Sequence, residues 1–234
     1  MSLDQLKHLA TELACRETCD SEKILPSAHI FQCTEVTVFE AVIYKPLICL
    51  ILQGRKEMNV GQQFVELREG DVLLVSHDLP VASKITQAST ERPYQALIFL
   101  LDLSILRSLY EQVGEAVSHK DHATSLSAMK ADPAWTEPMV RYLELMNTPI
   151  DARVLGPMIL KEIHYRLLLS PIGGMLRNLF SVDSHASRIA KSIQWISAKF
   201  REPLVVGALA QVAGMSQSSF YQHFKSVTGT TPLQ

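Results

Sequence analysis

Between residues 30 and 102 the chain is a succession of short apolar runs, each closed by a turn signal and none showing a helical stripe. The turns are Gln53-Gly54-Arg55, Val60-Gly61-Gln62, Glu69-Gly70-Asp71 and His77-Asp78-Leu79-Pro80. Between them the pattern predicts strands over Thr34–Ile43, Leu47–Leu52, Lys56–Val60, Gln63–Leu67, Asp71–Ser76, Val81–Ile85 and Tyr94–Leu101. Seven or more short strands at this spacing indicate an antiparallel sandwich or barrel. The Gly70 turn suits glycine because only glycine takes positive φ without cost.

Helices flank this region. Leu3, Leu6, Leu9 and Leu13 recur at helical spacing, predicting a helix over 2–20. Residues 102–182 read as helical, with helices marked by Leu103 to Val113, Trp135 to Met146 and Leu155 to Leu169 and a short apolar piece at Met175–Phe180. Ser181-Val182-Asp183-Ser184 is the expected linker. The resulting division is 1–24 (helix and arm), 25–102 (barrel), 103–183 (helical part and linker) and 184–234 (a small all-α unit). The expected fold class is α+β.

Composition removes several function classes. At 47% hydrophobic and 20% charged, the 234 residues suit a packed globular chain. The apolar runs Leu47–Leu52 and Ala96–Leu101 fall far below the ~20 residues of a membrane span. Asp4 and Lys7 interrupt the start, where a signal peptide would be apolar, so the expected location is cytoplasmic and no membrane partner is expected. Cys15, Cys19, Cys33 and Cys49 then read as reduced thiols. Cys15 and Cys19 share a helix face, but no second pair follows at ligand spacing, so no metal is expected. His29 and His77 are isolated on the strands, and His119 and His122 fall in a predicted loop, which is no cupin-type ligand set. Without a Gly-x-Ser-x-Gly elbow or a Gly-rich phosphate loop, neither enzymatic activity nor a cofactor is expected.

Charge is unevenly divided. Residues 1–183 hold 17 basic and 23 acidic side chains, a balance of −6. Residues 184–234 hold Arg188, Lys191, Lys199, Arg201 and Lys225 against Glu202, a balance of +4. A basic tail on an acidic body points to a polyanionic partner for the tail.

That tail carries the most specific pattern in the chain. Ile189, Ile193, Ile196 and Phe200 form one stripe of an amphipathic helix, and Pro203 interrupts it. A second helix spans Leu204–Ala213 and a third runs from about Gln217 to Val227, stopped by Gly229 and Pro232. At the joint, Ala210 is small enough for helices to touch, Gly214 accepts a left-handed turn, Ser216 can cap the new helix, and Phe220 and Phe224 plug the angle. These are the requirements of a DNA-binding helix-turn-helix.

Residues 185–234 resemble the first DNA-binding subdomain of the AraC/XylS family of bacterial transcription regulators. The carrying residues include Ala190, Trp195-Ile196, Pro203-Leu204, Leu209-Ala210, Ala213-Gly214-Met215-Ser216, Ser219-Phe220, Phe224-Lys225, Thr228-Gly229 and Thr231-Pro232-Leu233-Gln234. Residues 25–182 resemble the regulatory domain of one AraC subfamily through Leu50-Ile51-Leu52-Gln53-Gly54, Leu79-Pro80-Val81 and Glu162-Ile163 with Tyr165-Arg166-Leu167-Leu168. The resemblance implies a cupin-like barrel followed by helices, a small-molecule effector, a homodimer, and double-stranded promoter or operator DNA as partner, with RNA polymerase a further one. It places Gln217, Ser218, Tyr221 and Gln222 toward the major groove, and Ser216, Ser219 and Lys225 toward phosphates. Gln222 has an amide fork suited to adenine. His223 reads as partly buried beside Phe224. Tyr94, Gln95 and Cys49 are candidate effector-pocket residues, each polar or soft on an apolar strand. Family members carry two helix-turn-helix units joined by a long helix. The sequence reaches Gln234 where that helix would begin, so one unit is expected here. The alternative function is then a small-molecule-binding cupin module with a truncated, non-functional DNA reader.

Overall fold

A computed structural model describes residues 3–17, 25–61, 63–113, 126–180, 185–199 and 204–232. Cys19, His119, His122, the 181–184 linker, Phe200, Arg201, Glu202 and Pro203 lie outside the described residues. The chain opens with helix α1 (Leu3–Glu17) and continues through β1 (Ala28–Cys33), β2 (Glu40–Tyr44), β3 (Leu47–Gln53), β4 (Arg55–Val60), β5 (Gln63–Arg68), β6 (Asp71–Val75), β7 (Leu79–Gln87) and β8 (Tyr94–Leu100). Then follow α2 (Leu103–Val113), β9 (Leu126–Lys130), α3 (Pro133–Glu144), α4 (Pro149–Leu169), α5 (Gly174–Phe180), α6 (His185–Lys199), α7 (Val206–Val212) and α8 (Gln217–Thr228).

The strands form two antiparallel sheets, ordered β1-β8-β3-β6-β9 and β2-β7-β4-β5. They face one another across a core of Leu47, Cys49, Ile51, Leu73, Val75, Tyr94 and Ala96 from the first sheet and Met58, Val60, Leu67, Val81 and Ile85 from the second. The alternate residues of the first sheet, Ile48, Leu50, Leu52, Val72, Leu74, Leu97 and Phe99, pack on the other side against helices. Strand β3 is therefore buried at every position, which is why its sequence LICLILQ is an unbroken apolar run rather than an alternation. Leu6, Leu9, Ala10 and Leu13 of α1 and Leu167, Leu168 and Leu176 of the later helices join that second core. The architecture is α+β, in three layers: sheet, sheet and helices.

Several boundaries differ from the sequence reading. β1 arises where no strand is predicted, and Thr34–Phe39 is not strand, so the predicted Thr34–Ile43 strand shrinks to β2. β9 sits inside the stretch read as helical. Its sequence LSAMK favours helix in isolation, but pairing with β6 wins, sealed by a Lys130–Asp71 ion pair of 2.6 Å. α4 begins at Pro149, six residues before the predicted start, because proline suits the first helical turn.

Residues from 185 onward have a hydrophobic cluster of their own. Ile189 and Ile193 of α6 meet Leu209 and Ala210 of α7 and Phe220, Phe224 and Val227 of α8. Among the described residues, one close approach between this three-helix unit and the sheets is at Gly61. A Cβ built on Gly61, after β4, would stand 1.8 Å from the carbonyl oxygen of Gly229, which ends α8.

Candidate nucleic-acid interface and effector cavity

The α7–α8 joint is built by backbone hydrogen bonds. The Met215 N–H donates to the Ala210 carbonyl and the Gly214 N–H to that of Gln211, both at 2.9 Å, which is a Schellman termination. It needs a left-handed residue, and Gly214 has φ +63°. A Cβ there would meet nothing within 4 Å, so conformation and not crowding selects glycine. Ser216 then caps α8, its Oγ accepting from the Ser219 N–H at 3.3 Å. Behind the joint Phe220 is fully buried, 5.4 Å from the Phe224 ring. Ser192 of α6 donates to the Leu209 carbonyl, which ties the third helix in.

This packing turns one face of α8 outward. Gln217, Ser218, Tyr221, Gln222 and Lys225 are exposed, and Ser219 is half-buried. Their positions follow the helical repeat, opposite Phe220, Phe224 and Val227. Gln217 also lies across α7: its Nε2 would be 2.9 Å from a Cβ at Gly207, so the absent side chain of Gly207 makes room for it. His223 is half-buried, but its neighbour is His185 of α6, stacked at 3.5 Å between centroids. Burial, then His185, holds the His223 pKa below the ordinary histidine value. On α6, Lys191 and Lys199 are exposed, and Lys199 Nζ stands 5.2 Å from the Trp195 ring centre.

A second candidate site lies between the sheets. A cavity of about 400 Å³ is lined by Phe31, Tyr44, Leu47, Cys49, Lys56, Ile85, Tyr94, Ala96 and Ile98, together with Thr37, Glu40, Ala41, Val42, Ser83 and Lys84. Two of the three predicted pocket residues, Cys49 and Tyr94, are here. Gln95 is not: on β8 it points the opposite way and donates to Thr11 of α1 at 3.1 Å. The strand pleat decides this, since consecutive residues face opposite sides. Burial raises the Cys49 thiol pKa to about 11 and drives that of Tyr94 well above its ordinary value, so both are neutral near pH 7. Sequence reasoning missed Lys56, although a lysine two residues before Met58 on an inward face was the available signal. Among the described residues no group of three or more His, Cys, Asp or Glu is placed to hold a metal ion.

A family model for the N-terminus of AraC-type transcriptional regulators matches residues 24–175. The chain belongs to this family. The matched span holds both sheets and helices α2 to α4 and ends at the start of α5, so the cavity lies within the matched N-terminal portion. No curated protein matches the chain. Similar solved structures include ToxT from Vibrio cholerae, at 13% identity and TM-score 0.37, covering 88% of this chain and 95% of that one. The AraC-like transcriptional activator CuxR is another, at 14% identity and TM-score 0.39, covering 86% of this chain and 71% of that one.

Proposed function

We propose that this AraC-type regulator reads duplex DNA through α8 and responds to a small effector held between its sheets. The reading treats 184–234 as the DNA-binding unit and 25–183 as the sensor, in a cytoplasmic protein without catalytic activity. Among the described residues no helix is long and apolar enough to cross a membrane.

The observation that carries the DNA reading is the exposed face of α8. Gln217, Ser218, Tyr221 and Gln222 form its base-reading edge, with Ser216, Ser219 and Lys225 at the phosphates. Gln222 has an unencumbered amide for adenine. Gln217 is partly committed to Gly207, so its role is secondary. A helix-turn-helix of this size contacts few base pairs, and two copies per complex supply the affinity one lacks. α4 supports a homodimer: Ile150, Val154, Met158, Tyr165 and Leu169 are exposed along it, Ile150 at 81% and Met158 at 65%. An apolar stripe on a long helix is suited to a self-complementary contact with a second chain.

An effector shifts such a protein only by binding one arrangement better than another. β4 offers a short route for that difference. Lys56 faces the cavity, and Gly61, five residues on, abuts the cap of α8.

The test is fluorescence anisotropy on a 30-base-pair duplex pool across a salt series, with wild type and Lys225→Glu. Binding that falls steeply with salt and weakens in the variant supports the reading. A folded protein that binds no duplex even at low salt leaves instead a small-molecule-binding module.

A further inference from the structure

A second cleft, of about 290 Å³, opens where the β3–β4, β5–β6 and β7–β8 connections gather beside the end of β9, and it shares no lining residue with the inter-sheet cavity. Arg55, Arg68, Arg92 and Lys130 line it, with Glu69 the one lining carboxylate. The neighbouring carboxylates answer these cations unequally. Glu66 accepts two bonds from Arg68, at 3.0 Å each, and that pairing holds the Glu66 carboxyl below its ordinary pKa. Asp71 takes Lys130 at 2.6 Å. Arg55 comes only within 3.9 Å of Glu66, and Arg92 only within 4.0 Å of Glu69, which Lys7 also approaches at 3.9 Å. Among the described residues neither the Arg55 nor the Arg92 guanidinium makes a hydrogen bond. Five cations, Lys7 included, thus stand against Glu66, Glu69 and Asp71, a balance of +2. Glu91, beside Arg92 in the chain, does not line the cleft.

The backbone beneath these side chains is fixed. Gly54 has φ +85°, and a Cβ there would stand 2.5 Å from the Gln87 carbonyl oxygen, so glycine lets the start of β4 close up against the end of β7. Gln53, buried beside it, donates to the Pro93 carbonyl at 2.7 Å. Ser89 and Arg92 close a turn on themselves: the Ser89 N–H donates to the Arg92 carbonyl and the Arg92 N–H to Ser89 Oγ, both at 3.0 Å. Arg92 is therefore carried on a turn pinned to a buried amide, and Arg55 opens β4 next to Gly54. Among the described residues no apolar side chain lines the cleft. Gln87 and Glu69 supply an amide and a carboxylate on its wall.

We propose that this cleft binds a small sugar or polyol phosphate. Arg55 and Arg92 hold the phosphate through their guanidinium forks, Arg68 and Lys130 add positive charge, and Gln87 and Glu69 meet the hydroxyls. Three properties of the cleft select this class. The excess of two positive charges matches a phosphomonoester, which carries close to two negative charges at pH 7. The planar forks of the two arginines match phosphate oxygens pairwise. A wall without hydrocarbon gives an apolar body nothing to bury against, whereas hydroxyls find hydrogen-bond partners on it. The volume restricts the ligand to a small one.

The experiment is isothermal titration calorimetry of the full chain in a low-salt, phosphate-free buffer. The probes are glucose 6-phosphate, ribose 5-phosphate and glycerol 3-phosphate, each beside its unphosphorylated parent, with inorganic phosphate and succinate as comparison anions. The expected result is that at least one ester binds about tenfold or more tighter than its parent and than either comparison anion, because the charge-assisted bonds need the phosphate and the hydroxyls add to them. Arg55→Gln and Arg92→Gln should each weaken that ester about tenfold. Lys225→Glu on α8 should leave it unchanged. Both arginines are exposed, and thermal melts check that each variant folds; Arg92→Gln decides alone if Arg55→Gln does not. A parent that binds as tightly as its ester overturns the proposal, as does inorganic phosphate or succinate binding as tightly. Ester binding that survives in both folded arginine variants overturns it too, because the ester then sits elsewhere. So does the absence of any ester binding. None of these outcomes bears on the inter-sheet cavity.

Discussion

Gly61 and Gly214 have nearly the same backbone, φ +58° and +63°, in opposite surroundings. Alanine at either position carries the cost of a left-handed conformation, about 1–2 kcal/mol. At Gly214 nothing lies within 4 Å of the new methyl, so that is the whole expected loss. At Gly61 the methyl would sit 1.8 Å from the Gly229 carbonyl oxygen and 3.1 Å from Thr230 Cγ2. Real Cβ atoms do not approach an oxygen so closely, so the β4–β5 tip and the end of α8 must part by more than an ångström. Overpacking of this kind adds about 1–3 kcal/mol. Urea unfolding followed by fluorescence measures the difference. In a Trp135→Phe background Trp195 on α6 is the remaining tryptophan, and it reports on the three-helix unit. Gly61→Ala should lose clearly more stability than Gly214→Ala. If the clash is relieved by separation, the Trp195 transition should move to lower urea than the unfolding of the sheets seen by circular dichroism. Equal losses in the two variants, with one coincident transition, would refute the contact between the hairpin tip and the α8 cap.

Three further outcomes follow from the same packing. Phe220→Ala empties the angle between α7 and α8 and should cost about 3–5 kcal/mol, read from the same Trp195 transition. Burial lowers the His77 pKa from its ordinary 6.5 to about 4, so the folded chain refuses a proton that the unfolded chain accepts. That contribution is complete above pH 6.5 and is lost as pH falls toward 4, at up to about 1.4 kcal/mol per unit; His77→Gln should flatten this part of the stability–pH curve. Met158→Asp puts a charge in the exposed stripe of α4 and should move the 26.1 kDa chain from dimer toward monomer in sedimentation equilibrium, without changing its melting temperature as a monomer.

The elements most legible in the sequence are those whose signals are local. Gly214 and Ser216 announce the α7–α8 joint because a left-handed turn and a helix cap each restrict one position. The strands from β3 to β8 are bounded by their own turns. What escaped depends on distant partners. β9 is a strand because β6, more than fifty residues earlier, offers an unpaired edge. β1 exists because β8 does. Gln95 and Tyr94 look alike as polar residues on one apolar strand, and only the layer order sends one to α1 and the other into the cavity. Lys56 sits in a run, RKEMNV, whose charges suggest a solvated strand. Its inward direction follows from the pairing of β4 between β5 and β7. His223 shows the same limit, since a partner 38 residues away in α6 has no trace in the local pattern.

The account turns on α8 as the DNA-reading element, and the most direct measurement is selection of bound duplexes from a randomised pool by the full chain and by Gln222→Ala. The account predicts that wild type enriches a short motif, and that the variant loses preference at one base pair of it, by about 1–3 kcal/mol, while the remaining positions persist. No enriched motif, or the same motif at full strength from the variant, would contradict it.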